Sequence, residues 1–228
     1  MADRLARIRG DEFEPALVSR TAQLLKDGSV IVHPTETIHG YGCRWDSAAS
    51  VERIRRLKGR RAAKPMILLV PDPGWIDRLC SGVSPLARRL VETFWPGALT
   101  LVFRSAEVVR SHPAWNVDTI ALRQSSHPFT SVMLRLAGLP IVSTSLGVSG
   151  RAVPANAGKF MESLFAGHEF DENDLPNLAV IDVRLKESAS PSTILSVTEP
   201  ERVVLLREGA IPAEKIERTA GVELLKER

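Results

Sequence analysis

Twelve side chains of types that can act on a charged ligand sit beside segments that read as strand or helix ends. Thr35 and Thr37 follow an apolar run that ends at His33, with the carboxylate of Glu36 between them. Ser143 and Ser145 close a second run, Arg123 a third and Arg207 a fourth, while Ser192 and Thr193 open a fifth. Lys58, Arg60 and Lys64 follow a helical stretch. Lysine and arginine balance phosphate charge, and a planar guanidinium matches a carboxylate bidentately. Taken one at a time, each of these residues is an ordinary turn or capping residue. Taken together they are expected to form a polar, cation-rich rim at one sheet edge, suited to a triphosphate and a carboxylate, because strand ends of open mixed sheets are where ligands bind.

Familiar alternatives fail on their spacing. No G-x-x-x-x-G-K-[ST] phosphate loop occurs, and Gly40-x-Gly42 is followed by Trp45 where a dinucleotide fingerprint requires glycine. Ser143-Thr144-Ser145-Leu146-Gly147 lacks the leading glycine of a nucleophile elbow. His33, His39, His112, His127 and His168 show no metal-ligand spacing and read as surface or packing residues, so no protein metal site is expected.

The elements that must position these groups follow from periodicity. Asp11 to Lys26 is predicted as an amphipathic helix stopped by Asp27-Gly28, and Ser29 to His33 as a strand. The chain then breaks at Pro34 and crosses Gly40-Tyr41-Gly42. Ala48, Val51, Ile54 and Leu57 mark the buried face of a second helix, with Arg53 and Arg56 directed elsewhere. Met66–Val70, Ala98–Phe103, Thr119–Arg123, Pro140–Ser145, Leu178–Val183, Thr193–Val197 and Val203–Arg207 read as strands. Ser84-Pro85 opens a helix, Pro128–Ala137 forms another capped by Gly138, and Lys159–Phe165 and Pro212–Arg218 are shorter ones. The segment from His168 to Asn177 is acidic and reads as a surface loop. This order predicts an α/β (mixed α+β) single domain: a twisted mixed parallel and antiparallel sheet flanked by helices.

A chain of 228 residues with 44% hydrophobic content supports one large core, and the scarcity of aromatics leaves aliphatic side chains to fill it. A net charge of +3 does not by itself argue for nucleic acid, but seven cations between Arg53 and Lys64 form a basic run. Two cysteines outside any C-x-x-C pair exclude a disulfide framework. The charged N-terminus is no signal peptide and no apolar run spans a bilayer, so a soluble, cytoplasmic protein is expected.

Ordered pieces of the chain resemble the YrdC/YciO family, whose better-known members are L-threonylcarbamoyladenylate synthases. The pieces are Gly28-Ser-Val-Ile-Val-His-Pro-Thr-Glu-Thr with Gly40-Tyr-Gly-Cys, Lys58-Gly-Arg60 with Lys64-Pro-Met, and Phe94-Trp-Pro-Gly-Ala-Leu-Thr-Leu-Val. Ile120-Ala-Leu-Arg123, Gly138-Leu-Pro-Ile-Val-Ser-Thr-Ser145, Pro191-Ser-Thr193 and Leu206-Arg-Glu-Gly-Ala-Ile211 follow in the family's order. The resemblance implies a YrdC-like domain over residues 12–215, with 1–11 and 216–228 as terminal extensions. It implies a nucleotidyltransferase that joins L-threonine and bicarbonate to the adenylate of ATP, for threonylcarbamoyladenosine formation in tRNA. Thr35, Arg123 and Ser192 would contact threonine, with Arg123 on its carboxylate. Lys58, Arg60, Lys64, Ser143, Ser145 and Arg207 would face the nucleotide, with Lys58 and Arg60 acting in catalysis. Mg²⁺ would enter through the phosphates rather than a protein cage.

One departure bears on catalytic strength rather than fold. Synthases pair Lys-x-Arg with Ser-x-Asn, whereas this chain has Ser145-Leu146-Gly147, as the YciO-like branch departs at the same position. The alternative function is therefore a YciO-like protein that holds a nucleotide or double-stranded RNA on its basic surface with weak or no synthase activity, and contact with tRNA or double-stranded RNA is the partner expectation.

Overall fold

The computed structural model describes residues 4–59, 66–147, 156–167, 171–185 and 189–226. In chain order, β1 (Leu5–Ile8) precedes α1 (Pro15–Lys26), β2 (Ile31–His33), β3 (Gly40–Arg44), α2 (Ala48–Leu57), β4 (Ile67–Leu69), α3 (Trp75–Leu79) and β5 (Cys80–Ser81). Next come α4 (Pro85–Phe94), β6 (Leu99–Ser105), α5 (Glu107–Arg110), β7 (Thr119–Arg123), α6 (Pro128–Ala137) and β8 (Ile141–Ser145). The chain continues through α7 (Ala157–Ala166), β9 (Leu178–Asp182), β10 (Thr193–Glu199), β11 (Arg202–Arg207), α8 (Ala213–Ala220) and β12 (Leu224–Lys226).

Local chemistry explains the helix ends. The Ser84 hydroxyl accepts from the Ala87 N–H at 3.1 Å and Pro85 takes the first turn, where its missing N–H costs nothing. Ser47 caps α2 in the same way through Ser50. Gly138 closes α6 at φ 70°, a left-handed position that favours glycine. Helix α1 starts at Pro15, not Asp11 as the sequence predicts, because Arg9 and Glu12 pair as a bridge before the proline sets the first turn.

The described strands form one mixed sheet of order β1-β9-β2-β3-β8-β4-β7-β6-β10-β11-β12, with β5 paired to β6. Strand β3 corrects the reading of Gly40-Tyr41-Gly42 as a crossing: it lies antiparallel between β2 and β8. Its glycines are there for close approach. A Cβ on Gly42 would lie 2.8 Å from the His33 ring, and one on Gly40 2.9 Å from the Thr144 carbonyl oxygen. Strands β1 and β12, from the segments expected as terminal extensions, join the sheet beside β9 and β11.

Alternation along the strands divides the apolar side chains between two faces. Val30, Val32, Leu68 and Val142 enter one core with α2, α3, α4 and α8. Ile31, Leu69, Ile141 and Val180 enter the other, with α1 and α6. No helix among the described residues is long and apolar enough to cross a membrane.

Candidate functional site

The sheet register contradicts the expectation of a single rim. His33, Gly40 and Ser145 share one level across β2, β3 and β8. Ile141 and Leu69 lie at the opposite end, and Arg123 is paired with Leu69. Thr193 and Arg207 align with that second end through β6 and β10. Ser145 and Arg123 therefore terminate strands at opposite ends of the sheet. The loop 34–39 joins the two ends: it leaves β2 at His33 and places Thr37 Oγ1 3.1 Å from Arg123 Nη1.

Arg123 is the centre of one cluster. Its Nε donates to the Gly97 carbonyl at 3.1 Å, and its Nη2 lies 2.9 Å from Glu36 Oε2. The Ser125 hydroxyl donates to the same Glu36 oxygen at 2.5 Å. Burial opposes ionisation of Glu36, but the Arg123 charge and the Ser125 hydroxyl more than offset it, and the carboxyl stays below its usual value. The sequence places Glu36 at a strand end without giving it a partner. The structure pairs it with the guanidinium expected to take a substrate carboxylate.

Thr35 shapes the loop. Its buried hydroxyl donates to the Ile38 carbonyl at 2.7 Å, accepts from the Thr37 and Ile38 N–H groups, and lies 2.8 Å from Thr37 Oγ1. These bonds form a local hydroxyl turn that holds Thr37 toward Arg123.

A second cluster forms where α2 ends. Lys58 caps the helix, where a cation also complements the dipole, and its buried Nζ donates to the Ser145 carbonyl at 2.7 Å. Ser143 Oγ lies 3.3 Å from His33 Nε2. Arg60 and Lys64 lie outside the described residues. A third cluster joins β10 and β11: Arg207 donates through Nε and Nη2 to the Ser192 carbonyl at 3.2 and 2.9 Å. Ser192 Oγ shares a 2.8 Å bond with Thr100 Oγ1. Partial burial and the charge of Arg123 both press the Arg207 guanidinium below its ordinary value, so the two arginines sense each other's field. Thr193 closes the following turn through the Ile211 carbonyl and the Gly209 N–H.

Gly147 adopts φ 86°, and its backbone is hydrogen-bonded to the buried Tyr41 hydroxyl. The arginines of α2 are not an open cationic strip. Arg53 donates to the Leu175 carbonyl, Arg55 to the Ala114 carbonyl, and Arg56 grips Asp174 through Nε and Nη2 at 2.6–2.9 Å.

Beneath the loop lies a polar cluster that spacing alone does not reveal. His127 Nε2 donates to Asp182 Oδ2 at 2.9 Å, and the Asp182 N–H donates to His39 Nε2 at 3.1 Å. Among the described residues, no group of three or more His, Cys, Asp or Glu could hold a metal ion.

Known proteins resemble this chain in sequence and fold. A family model for Sua5, YciO and YrdC proteins, described as "Telomere recombination", matches residues 23–209. Threonylcarbamoyl-AMP synthases of Pyrococcus abyssi and Bacillus subtilis are 31% and 30% identical over 92% and 90% of the chain. The chain spans 59% and 56% of the length of these two relatives. The structure of P. abyssi Sua5 complexed with L-threonine superposes with a TM-score of 0.82, at 29% identity, over 96% of this chain and 62% of that one. E. coli YciO shares the fold with a TM-score of 0.77 at 23% identity, over 94% of this chain and 99% of that one. The chain is therefore a member of the Sua5/YciO/YrdC family.

Proposed function

We propose that this protein forms L-threonylcarbamoyl-AMP and pyrophosphate from L-threonine, bicarbonate and ATP. The observation that carries the reading is Arg123: a buried guanidinium fixed by Gly97 and Thr37, in a chain similar over nine-tenths of its length to synthases. In the proposed reaction, the threonine nitrogen bonds to the carbon of bicarbonate and water leaves. An oxygen of the resulting carbamate then attacks the α-phosphorus, and pyrophosphate departs. Arg123 holds the threonine carboxylate, and Ser192 and the turn built by Thr35 shape its surroundings. Lys58, Ser143 and Ser145 would bind the nucleotide from one end of the sheet and Arg207 from the other, with Arg60 and Lys64 assigned to the phosphates by the motif they belong to. Positioned cations lower the barrier by stabilising charge on the phosphorus and on the leaving group. Mg²⁺ would enter with the nucleotide, where it would neutralise phosphate charge. The product would serve tRNA threonylcarbamoylation, and the protein would work in the cytoplasm. The test is pyrophosphate release from ATP: release that requires both threonine and bicarbonate supports the reading, and threonine-independent release or none refutes it.

Lys58→Ala should weaken ATP binding about tenfold, the effect of one charge-assisted hydrogen bond. Titration calorimetry measures it, and unchanged affinity removes Lys58 from the nucleotide site.

Gly147→Asn should raise turnover by roughly ten- to a hundredfold if the motif amide is what this chain lacks, since one missing hydrogen bond costs about 1–3 kcal/mol. The positive φ of Gly147 permits the exchange, because asparagine is among the residues that tolerate a left-handed backbone best. Steady-state product formation by both proteins is the measurement. ATP binding without turnover in either protein would favour the YciO-like reading, for which the glycine at 147 is the specific observation. Arg53, Arg55 and Arg56, which that alternative would use, already make internal hydrogen bonds, and RNA binding would compete with the Arg56–Asp174 pair.

A further inference from the structure

Two polar atoms at the centre of the site are buried without a hydrogen-bond partner: Glu36 Oε1 and Arg123 Nη2. They belong to one ion pair, whose 2.9 Å contact is made through the other carboxylate oxygen and is not aligned as a hydrogen bond. Buried polar atoms are nearly always satisfied, and a charged one left unsatisfied is costly. Here an unpartnered carboxylate oxygen lies beside a guanidinium nitrogen whose one close contact is the ion pair. A zwitterionic α-amino acid carries the complement of both, a carboxylate for the guanidinium and an ammonium for the carboxylate.

We propose that Glu36 is the acceptor for the α-ammonium group of the amino acid whose carboxylate Arg123 holds; this rests on the threonine reading above. Charge balance supports it. Arg123 and Glu36 neutralise one another, so the pair offers little net attraction to a simple carboxylic acid, whereas a zwitterion gains at both ends. Geometry supports it as well. Ser125 anchors one oxygen of Glu36, and Thr35 fixes the loop on both sides of the residue. A fifth of the Glu36 side chain remains exposed, which leaves the carboxylate approachable. The role also explains why a carboxylate, rather than a third hydroxyl, stands between Thr35 and Thr37.

The experiment is titration calorimetry of the full chain with L-threonine, with 3-hydroxybutanoate (threonine without its amine) and with threoninamide. Wild type should prefer threonine over 3-hydroxybutanoate by roughly ten- to a hundredfold, the range for a hydrogen bond to a charged group. Glu36→Gln should lose that preference, binding threonine ten times or more weakly while 3-hydroxybutanoate binds as well as before or better. Glu36→Asp, which keeps the charge one carbon shorter, should reduce the ratio without abolishing it. Equal binding of the two acids by wild type overturns the proposal. So does a wild-type ratio in Glu36→Gln, or tighter threonine binding there, which would make Glu36 a cover that the substrate displaces. Because each ratio is read within one protein, a change in stability does not mimic the effect. Wild type that binds no threonine refutes the synthase reading itself and the inference with it.

Discussion

Arg123→Met is expected to destabilise the fold by about 3 kcal/mol and to abolish threonine binding. The guanidinium is 5% exposed and donates to the Gly97 carbonyl and the Thr37 hydroxyl, so methionine removes two anchors between the 34–39 loop and the end of β7. The larger cost is Glu36, a largely buried carboxylate that would lose its guanidinium partner and keep the Ser125 hydroxyl and its own backbone N–H. Breaking a buried pair by deleting one partner typically costs about 3–5 kcal/mol, because the remaining charge is uncompensated. Glu36 keeps some exposure, which places the estimate at the lower end. Urea denaturation gives the value if the slope with denaturant is unchanged. A double variant, Arg123→Met with Glu36→Gln, should recover part of the loss, since neither charge then remains. If the double loss equals the sum of the two single losses, the pair is not coupled and the cluster is misread.

Acid should destabilise the protein well above the carboxylate range. Burial pushes His33 from 6.5 down to about 4, against the opposing pull of the Pro34 carbonyl, with the charges of His39, His127 and Arg123 adding to the effect. Burial likewise pushes His39 down to about 4, with Asp182 opposing. The bonding agrees: His39 Nε2 accepts a backbone N–H, and His33 Nδ1 faces a carbonyl while Nε2 meets the Ser143 hydroxyl, so both rings sit neutral. The unfolded chain takes up these protons near pH 6.5 and the folded one does not. Stability is therefore full above about 6.5 and lost as pH falls from there toward 4. Between pH 7.5 and 5.5 the loss should be roughly 1.4 kcal/mol for each ring, or about 3 kcal/mol together. Glu36 and Asp182, both held below their ordinary values, act in the same sense at lower pH, their contributions vanishing as pH falls through the folded values. Denaturant midpoints at the two pH values test this, and His33→Gln should remove about half the difference. A flat profile would mean that both rings take up protons in the folded protein as readily as in the unfolded one.

Much of this molecule is legible in one dimension. Thr119–Arg123 and Pro128–Ala137 emerge with their predicted limits because a short apolar run, a proline and a left-handed glycine are local signals. The motif pieces suffice for the family, and the strand-end positions of Arg123, Ser145 and Arg207 follow from where apolar runs stop. What the sequence does not contain is which ends meet. Strand β3 hides behind its glycines, which make room for the His33 ring and the Thr144 carbonyl that arrive from the strands on either side. The three- and four-residue strands at the margins are too short for a period to show. The separation of Ser145 from Arg123 depends on the antiparallel pairing of β4 with β8 and the parallel pairing of β4 with β7, set by long-range packing. So does the partnership of Glu36 with Arg123 and Ser125, residues 87 and 89 positions away in the chain. Periodicity assigns each residue to an element and a face because those preferences are local. An ion pair between loops is decided only when two cores, on opposite faces of one twisted sheet, fix where the strands end.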